Sequence, residues 1–513
     1  MENMTLSDIA AAVQAGGVGV SVVGAAGNAV VTGTSCDSRT TQPGDLFVCK
    51  GAAFMPAFLA GALERGAVAY LCDEARAAEL TAVAPGVPAL VVDELRRAMA
   101  LASAAAFRHP DRDLPVIGIT GTKGKTTAAY MLRSIVETAH GEGSCGIMGT
   151  VETYDGSGRA ASNNTTPEPP DLWRHLANAR DAHLAAMVME VSSQALKYDR
   201  TLGVNLTAGC FLNIGLDHIS PVEHADFEDY FSSKLKIFSQ ADTAVVNLDS
   251  DHANRIVAAA GASARTLTFG VNRPEADVFA DELSPSEEGI AFTLHLGAEH
   301  RRVQLPFPGE FSVSDALCAA ACAQLMNIDA NRIAEGLAAT HVPGRMEFYR
   351  SADRRLTVVV DYAHNGFAFE SLLSTVAGTF GDAQTIAVFG AVGGKARERR
   401  YELPEVAARY VSRIILTSDD PWTEDPADIC REMEGALPEG FPHEVVLDRE
   451  AAAERAFELA EATPGRSVVL LLAKGHEAYQ LTKDGFVPCV SDRELARRGV
   501  AAHDRAHSTD SPR

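Results

Sequence analysis

Short aliphatic runs that end in glycine or polar residues alternate with alanine-rich helical stretches along most of this chain. Leu46–Cys49, Ala67–Leu71 and Ala89–Val92 read as strands within residues 1–112, where they are mixed with helices. His109-Pro-Asp-Arg-Asp-Leu-Pro115 then reads as a polar linker. Beyond it, Val116–Ile119, Ala186–Glu190, Ala208–Leu212 and Ala244–Asn247 alternate with helical segments. A last series, Leu356–Val360, Thr385–Phe389, Arg413–Thr417 and Val468–Leu472, repeats the pattern. Runs this apolar suit parallel strands buried on both faces. The alternation predicts an α/β fold with a central, mainly parallel sheet and a C-terminal doubly wound, Rossmann-like sheet. Domains are expected at 1–112, 113–342 and 343–501, with a disordered tail over 502–513.

Composition narrows the function. A chain of 513 residues is too long for one core. A formal net charge of −23 argues against nucleic acid as a partner, because phosphate backbones need a basic footprint. Phosphorylated small molecules need only a local cationic pocket. The nine cysteines form no Cys-x-x-Cys pair, and their odd number fits a reducing cytosol. Cys318 and Cys322, one helical turn apart in an alanine-rich run, read as buried thiols. The N-terminus lacks the basic and apolar regions of a signal peptide, and no apolar run reaches the length of a membrane span. A cytoplasmic, monomeric protein without a membrane partner is expected.

The chemistry concentrates at Val116-Ile-Gly-Ile-Thr120-Gly-Thr-Lys-Gly-Lys125-Thr126-Thr127. A strand, a glycine-bearing turn and a helix follow one another there. Gly121 and Gly124 let backbone N–H groups approach phosphate oxygens, with Thr122, Lys123 and Thr127 completing the turn. Lys125 can neutralise terminal phosphates, and the Thr126 hydroxyl suits Mg²⁺. The loop is two residues shorter than the usual pattern: its first Gly is Gly121, and Ile119 stands where that pattern wants a Gly. Glu190 ends a strand at the position from which a second strand reaches a nucleotide's Mg²⁺. His218, in Asn213-Ile-Gly-Leu-Asp217-His218, ends another and is a further candidate ligand.

Taken together these segments resemble the Mur ligases. Asp37-Ser38-Arg39 with Pro43-Gly44, the Thr120–Thr127 loop, Asn164-Thr165-Thr166-Pro167, Met189-Glu190-Val-Ser192-Ser193, Pro343-Gly-Arg345, Asp361-Tyr-Ala-His364 and Lys474-Gly-His-Glu477 occur in that family's order. The resemblance implies an ATP- and Mg²⁺-dependent amide ligase of peptidoglycan precursor synthesis, and through it a part in cell shape and division. Such an enzyme phosphorylates a carboxylate of UDP-MurNAc-L-Ala-D-Glu and couples the acyl phosphate to a diamino acid. It further implies that Arg345 and Asp361 serve the nucleotide. Ser38, Thr165, Thr166, Ser192 and Arg200 would hold the UDP-sugar peptide. Lys234 would be a carbamate holding a second Mg²⁺, with Lys236 as its rival two residues on.

Lys395, Asp419, Asp420, Pro421, Trp422 and Glu477 fall where the family holds the amino acid. Trp422 replaces the Arg of the diaminopimelate-adding branch, and Glu424 and Asp425 follow it. An ammonium-ended side chain suits such a field, so L-lysine is favoured, with L-ornithine or meso-diaminopimelate as alternatives. The departures from the family are Lys123, where Asn is common, Gln194, Ser312, Asp315 and Ala473, the last standing where a Gly opens the Gly-Lys-Gly-His-Glu segment.

Overall fold

The computed structural model describes residues 4–24, 28–162, 164–215, 219 and 223–508. The chain divides into two compact units: Met1–Glu282 with Phe292–Val303 and Val313–Ala339, and Leu283–Ala291 with Gln304–Ser312 and Thr340–Arg513.

The first unit holds two sheets. Residues 20–92 form a five-stranded sheet in the order Val20–Val23, Ala89–Val92, Ala69–Asp73, Asp45–Val48, Gly33–Ser35; only Val20–Val23 runs antiparallel. The central sheet has a parallel core in the order Arg265–Val271, Ala241–Asn247, Leu206–Phe211, Val116–Thr120, Ala186–Glu190, Cys145–Met148. Val116–Thr120 and Ala186–Glu190 are buried at every position, which is why their sequences are apolar without alternation. Trp173, Phe211, Phe231 and Phe238 fill the layer between sheet and helices. Val116–Thr120 lies between Leu206–Phe211 and Ala186–Glu190, so the loops leaving three neighbouring strand ends face one crevice.

The segment expected to be a linker is a packed joint instead. Pro110–Arg112 is one 3-10 turn, and the buried Asp111 carboxylate accepts the Asn205 N–H at 2.7 Å. Lys50 and Glu168, 2.7 Å apart, and the Arg174 guanidinium donating to the Thr34 carbonyl at 2.8 Å tie the same two parts together.

The second unit carries a six-stranded sheet in the order Glu347–Arg350, Leu356–Asp361, Ser467–Leu472, Gln384–Phe389, Arg413–Leu416, His443–Val445. All but the first are parallel. Its C-terminal helix, Asp492–His507, runs through the first part of the tail expected to be disordered over 502–513, and residues 509–513 of that tail lie outside the described residues. Ser491 caps the helix start, and Leu495, Ala496 and Gly499 are buried on one face. Strands Val278–Ser286 and Glu299–Leu305 escaped the sequence reading because charged residues interrupt their apolar positions. Among the described residues no helix is long and apolar enough to cross a membrane.

Candidate functional site

The phosphate loop joins Val116–Thr120 to the helix Lys125–His140, whose N-terminus faces the crevice. Gly124 caps that helix in the left-handed region, φ 85°, and a Cβ there would overlap the Asp315 carboxylate. Burial pushes the Asp315 carboxyl well above its usual range, and the Lys125 ammonium opposes this. Asn213, just past the end of Leu206–Phe211, brackets the loop. Its carbonyl accepts the Thr122 N–H at 3.1 Å, and its side-chain oxygen accepts the Lys123 N–H at 2.9 Å. The sequence reading gave Asn213 no role.

Two lysines converge on one loop carbonyl. Lys125 Nζ donates to the Gly121 carbonyl at 2.8 Å and to that of Thr122 at 3.2 Å. Lys234 Nζ, 2% exposed, donates to the same Gly121 carbonyl at 2.9 Å and lies 4.8 Å from the Tyr230 ring centroid. The two nitrogens are therefore within about 6 Å of each other, where like charges repel. Lys236, by contrast, is exposed.

Glu190 is buried at its strand end. It accepts the Thr126 hydroxyl at 3.0 Å, and the Thr150 N–H and hydroxyl at 2.8 and 3.1 Å. Thr150 was missed from sequence because it comes from the loop after a third strand, Cys145–Met148. His218 lies outside the described residues. Thr165, Thr166, Ser192 and Arg200 gather beside Glu190. Thr166 Oγ1 donates to the Glu190 carbonyl at 2.9 Å and accepts the Ser192 N–H at 3.0 Å. Arg200 donates to the Thr166 carbonyl at 3.1 Å, and the Thr165 and Thr150 hydroxyls are 3.2 Å apart. Ser38 is placed on the loop after Gly33–Ser35, facing Gly61.

In the second unit, three segments distant in sequence meet. Gly344 has φ 67°, and a Cβ there would overlap the His476 backbone nitrogen. Arg345 lies over the Tyr362 ring, 4.4 Å from its centroid. Asp361 spends both carboxylate oxygens on backbone, accepting the Met346 and Ala363 N–H groups at 2.7 Å each. It therefore shapes the turn that carries Arg345. Burial, with the Arg345, Lys474 and Arg493 charges, pulls His476 down to about 3 and keeps it neutral at physiological pH. Ala473 sits at φ 81°, in the left-handed region that costs a non-glycine residue about 1–2 kcal/mol. Its methyl is buried.

The same turn offers a pH test. Burial opposes ionisation of Glu347, but bonds from His341, the Gly344 N–H and Arg493 outweigh it and hold its pKa down to about 2, against 4.5 for a free glutamate. A lowered carboxylate pKa stabilises the fold fully above pH 4.5 and loses that contribution as pH falls through 4.5 towards 2. The contribution is about 3 kcal/mol. Acid denaturation should show Glu347→Gln less stable than wild type at neutral pH, with the gap closing in that acidic window. A gap constant from pH 7 to pH 2 would remove Glu347 from the acid response.

The carboxylates around Trp422 are paired already. Lys474 Nζ, 2% exposed at its side chain, lies 2.8 Å from Asp420 and 2.6 Å from Glu477. It lies 3.8 Å from buried Asp419, whose pKa burial raises to about 6 against the pull of Lys474. Arg400 bridges both Glu424 oxygens at 2.9 Å and reaches Glu432 at 3.1 Å. Part of the acidic field expected from the sequence is thus matched within the unit, while Asp419, Asp420 and Glu477 against Lys474 still leave about two negative charges at neutral pH. Trp422, half exposed at φ 51°, packs on the Gly394 turn, and Lys395 beside it is exposed. Pro421 follows Asp420 and has its carbonyl against Gly393.

A phosphate cradle at the switch point of one parallel sheet, followed by a second parallel α/β unit, defines a nucleotide-dependent α/β enzyme. Residues 119–323 match the Mur ligase middle domain, and residues 344–475 match the Mur ligase, glutamate ligase domain. An Enterococcus faecalis protein named UDP-N-acetylmuramoyl-L-alanyl-D-glutamate--L-lysine ligase is 34% identical, over 92% of each chain. A Clostridium perfringens protein named UDP-N-acetylmuramoyl-L-alanyl-D-glutamate--2,6-diaminopimelate ligase is 32% identical over 87% of this chain and 90% of its own. A solved structure titled as the 2,6-diaminopimelate ligase is 26% identical, with a TM-score of 0.63 over 92% of this chain and 95% of its own. The chain belongs to the Mur ligase family and is an ATP-dependent amide ligase.

Proposed function

We propose that the chain joins L-lysine to the D-glutamyl side-chain carboxylate of UDP-MurNAc-L-Ala-D-Glu. The convergence of Lys125, Lys234, Thr126 and Glu190 on one crevice supports this reading most. The substrate carboxylate attacks the γ-phosphorus of ATP, the bond to the bridging oxygen breaks and ADP leaves. The amine then attacks the acyl carbon, and phosphate departs with its bonding electron pair.

The residues divide the work physically. Lys125 exchanges the loop carbonyls for phosphate oxygens as ATP seats, and Gly121, Thr122, Lys123, Gly124 and Thr127 present backbone around them. Arg345 adds charge to the phosphates, held by the turn that Asp361 shapes. The oxygen donors Thr126 and Glu190, with His218 from the sequence reading, suit Mg²⁺, which supplies charge neutralisation for the transferring phosphoryl group. A carbamate on Lys234 would keep one N–H for the Gly121 carbonyl while replacing a repelled cation by an anion. Ser38, Thr165, Thr166, Ser192 and Arg200 hold the nucleotide-sugar peptide. Lys395, Asp419, Asp420, Pro421, Trp422 and Glu477 hold the amino acid.

The neutral Trp422 and the name of the Enterococcus relative favour L-lysine. The pairing of Asp420, Glu477 and Glu424 by Lys474 and Arg400 weakens the acidic field and favours a second reading, in which meso-diaminopimelate is added; L-ornithine, ammonium-ended like lysine, suits the same field as lysine. Phosphate release with each amino acid offered separately decides: turnover with lysine alone is expected, and turnover with diaminopimelate alone would overturn the specificity. A second expected result concerns Trp422. A Cβ at Gly394 would overlap its ring, and φ there is 74°. Gly394→Ala should therefore raise the KM for the amino acid about tenfold and leave that for ATP within about twofold. An unchanged amino-acid KM would place Trp422 outside the binding site.

A further inference from the structure

Three of the nine cysteines meet in the first unit. Cys318 and Cys322 stand one turn apart on the helix Glu310–Leu325, and Cys210 reaches them from the strand Leu206–Phe211. All three are fully buried, and their sulfurs lie within 4.8 Å of one another. Cys210 Sγ and Cys322 Sγ are 3.2 Å apart, inside the about 3.5–4 Å of ordinary apolar packing. Leu317, Ala319, Ala320, Ala321 and Ala323 on the same helix are buried too, so the surroundings are apolar. The cluster also adjoins the phosphate loop along the chain. Cys210 is three residues before Asn213, and Cys318 is three residues after Asp315, which packs on Gly124.

We propose that this trithiol pocket is a binding site for one trivalent thiophilic metalloid, of which arsenic(III) is the probe. Sulfurs about 2.3 Å from a central atom lie roughly 3.3–4 Å from each other, within the span the three thiols already occupy. Charge decides among soft ions. A divalent ion on three thiolates leaves a net negative charge, which an apolar interior penalises, whereas a trivalent centre leaves none. Arsenous acid is itself uncharged in water at neutral pH, so it can enter a buried site during local opening without shedding an ionic hydration shell. The step is a condensation without redox change: As(OH)₃ and three R–SH give As(SR)₃ and three H₂O. Three As–S bonds replace three As–O bonds, and each thiol proton leaves on a departing hydroxide.

The test loads the reduced full-length chain with arsenite, removes excess by gel filtration and measures intact mass and bound arsenic. One arsenic per chain is expected, with a mass gain of one arsenic atom less three hydrogens. Cys210→Ser, Cys318→Ser and Cys322→Ser should each abolish that species, while Cys430→Ala retains it. Arsenic-edge X-ray absorption on the wild type does not depend on any variant folding, and should show three sulfur neighbours and no oxygen. Fewer sulfurs, substoichiometric arsenic, or undiminished binding in Cys322→Ser would overturn the proposal.

Discussion

Lys125→Met should lower kcat/KM for ATP-dependent phosphate release by about three orders of magnitude, with little change in thermal stability. The size follows from what the ammonium does. It lies within 3.2 Å of two loop carbonyls and is aimed where terminal phosphates must sit. Preorganised charge at a transferring phosphoryl group is worth several kcal/mol in a site shielded from water. Methionine keeps the length and apolar stem but removes that charge. The side chain is only half-buried, so its loss opens no large cavity. A loss below tenfold would mean that Lys125 is a loop brace rather than part of the phosphoryl-transfer machinery.

Lys234→Ala should be nearly as damaging, and the manner of its rescue identifies its charge state. The ammonium is buried against Tyr230 and shares the Gly121 carbonyl with Lys125. As a free cation it would be repelled by its neighbour; as a carbamate it would be attracted. Alanine leaves a gap that small ions can enter. Formate or acetate should restore part of the activity if an anion is needed there, and matched chloride should not. Rescue by methylammonium in place of the carboxylates would show that the working form is the cation, and turnover unchanged by the mutation would remove Lys234 from the mechanism.

Much of the scaffold was legible because parallel strands buried on both faces leave unbroken aliphatic runs. Ala89–Val92 and Ala186–Glu190 match their expected bounds, and Val116–Thr120 extends its run by one residue. The phosphate loop was legible because its chemistry is local: strand, two glycines, Lys and Thr within twelve residues. What escaped depends on partners far apart in sequence. Asn213 reads as an ordinary loop residue until the strand beside the phosphate loop brings it to the Thr122 and Lys123 N–H groups. The same holds for Thr150 beside Glu190. The acidic field at Trp422 is weaker than charges counted along the chain suggest, because Lys474 and Arg400 fold back onto it. His109–Pro115 reads as a linker by composition alone, since nothing local reveals that Asp111 is buried against the Asn205 N–H. Cys318 and Cys322 were read correctly as buried thiols, but the third sulfur belongs to a strand about a hundred residues earlier.

The most direct test of the central claim uses UDP-MurNAc-L-Ala-D-Glu carrying ¹⁸O in its D-glutamyl side-chain carboxylate, with ATP, Mg²⁺ and L-lysine. An acyl-phosphate ligase must pass one carboxylate oxygen to the phosphate it releases. Mass spectrometry should therefore find one ¹⁸O in each phosphate, together with a nucleotide-sugar product heavier by lysine less water. Phosphate released without the label, or ATP turnover indifferent to the nucleotide sugar, would contradict the assignment.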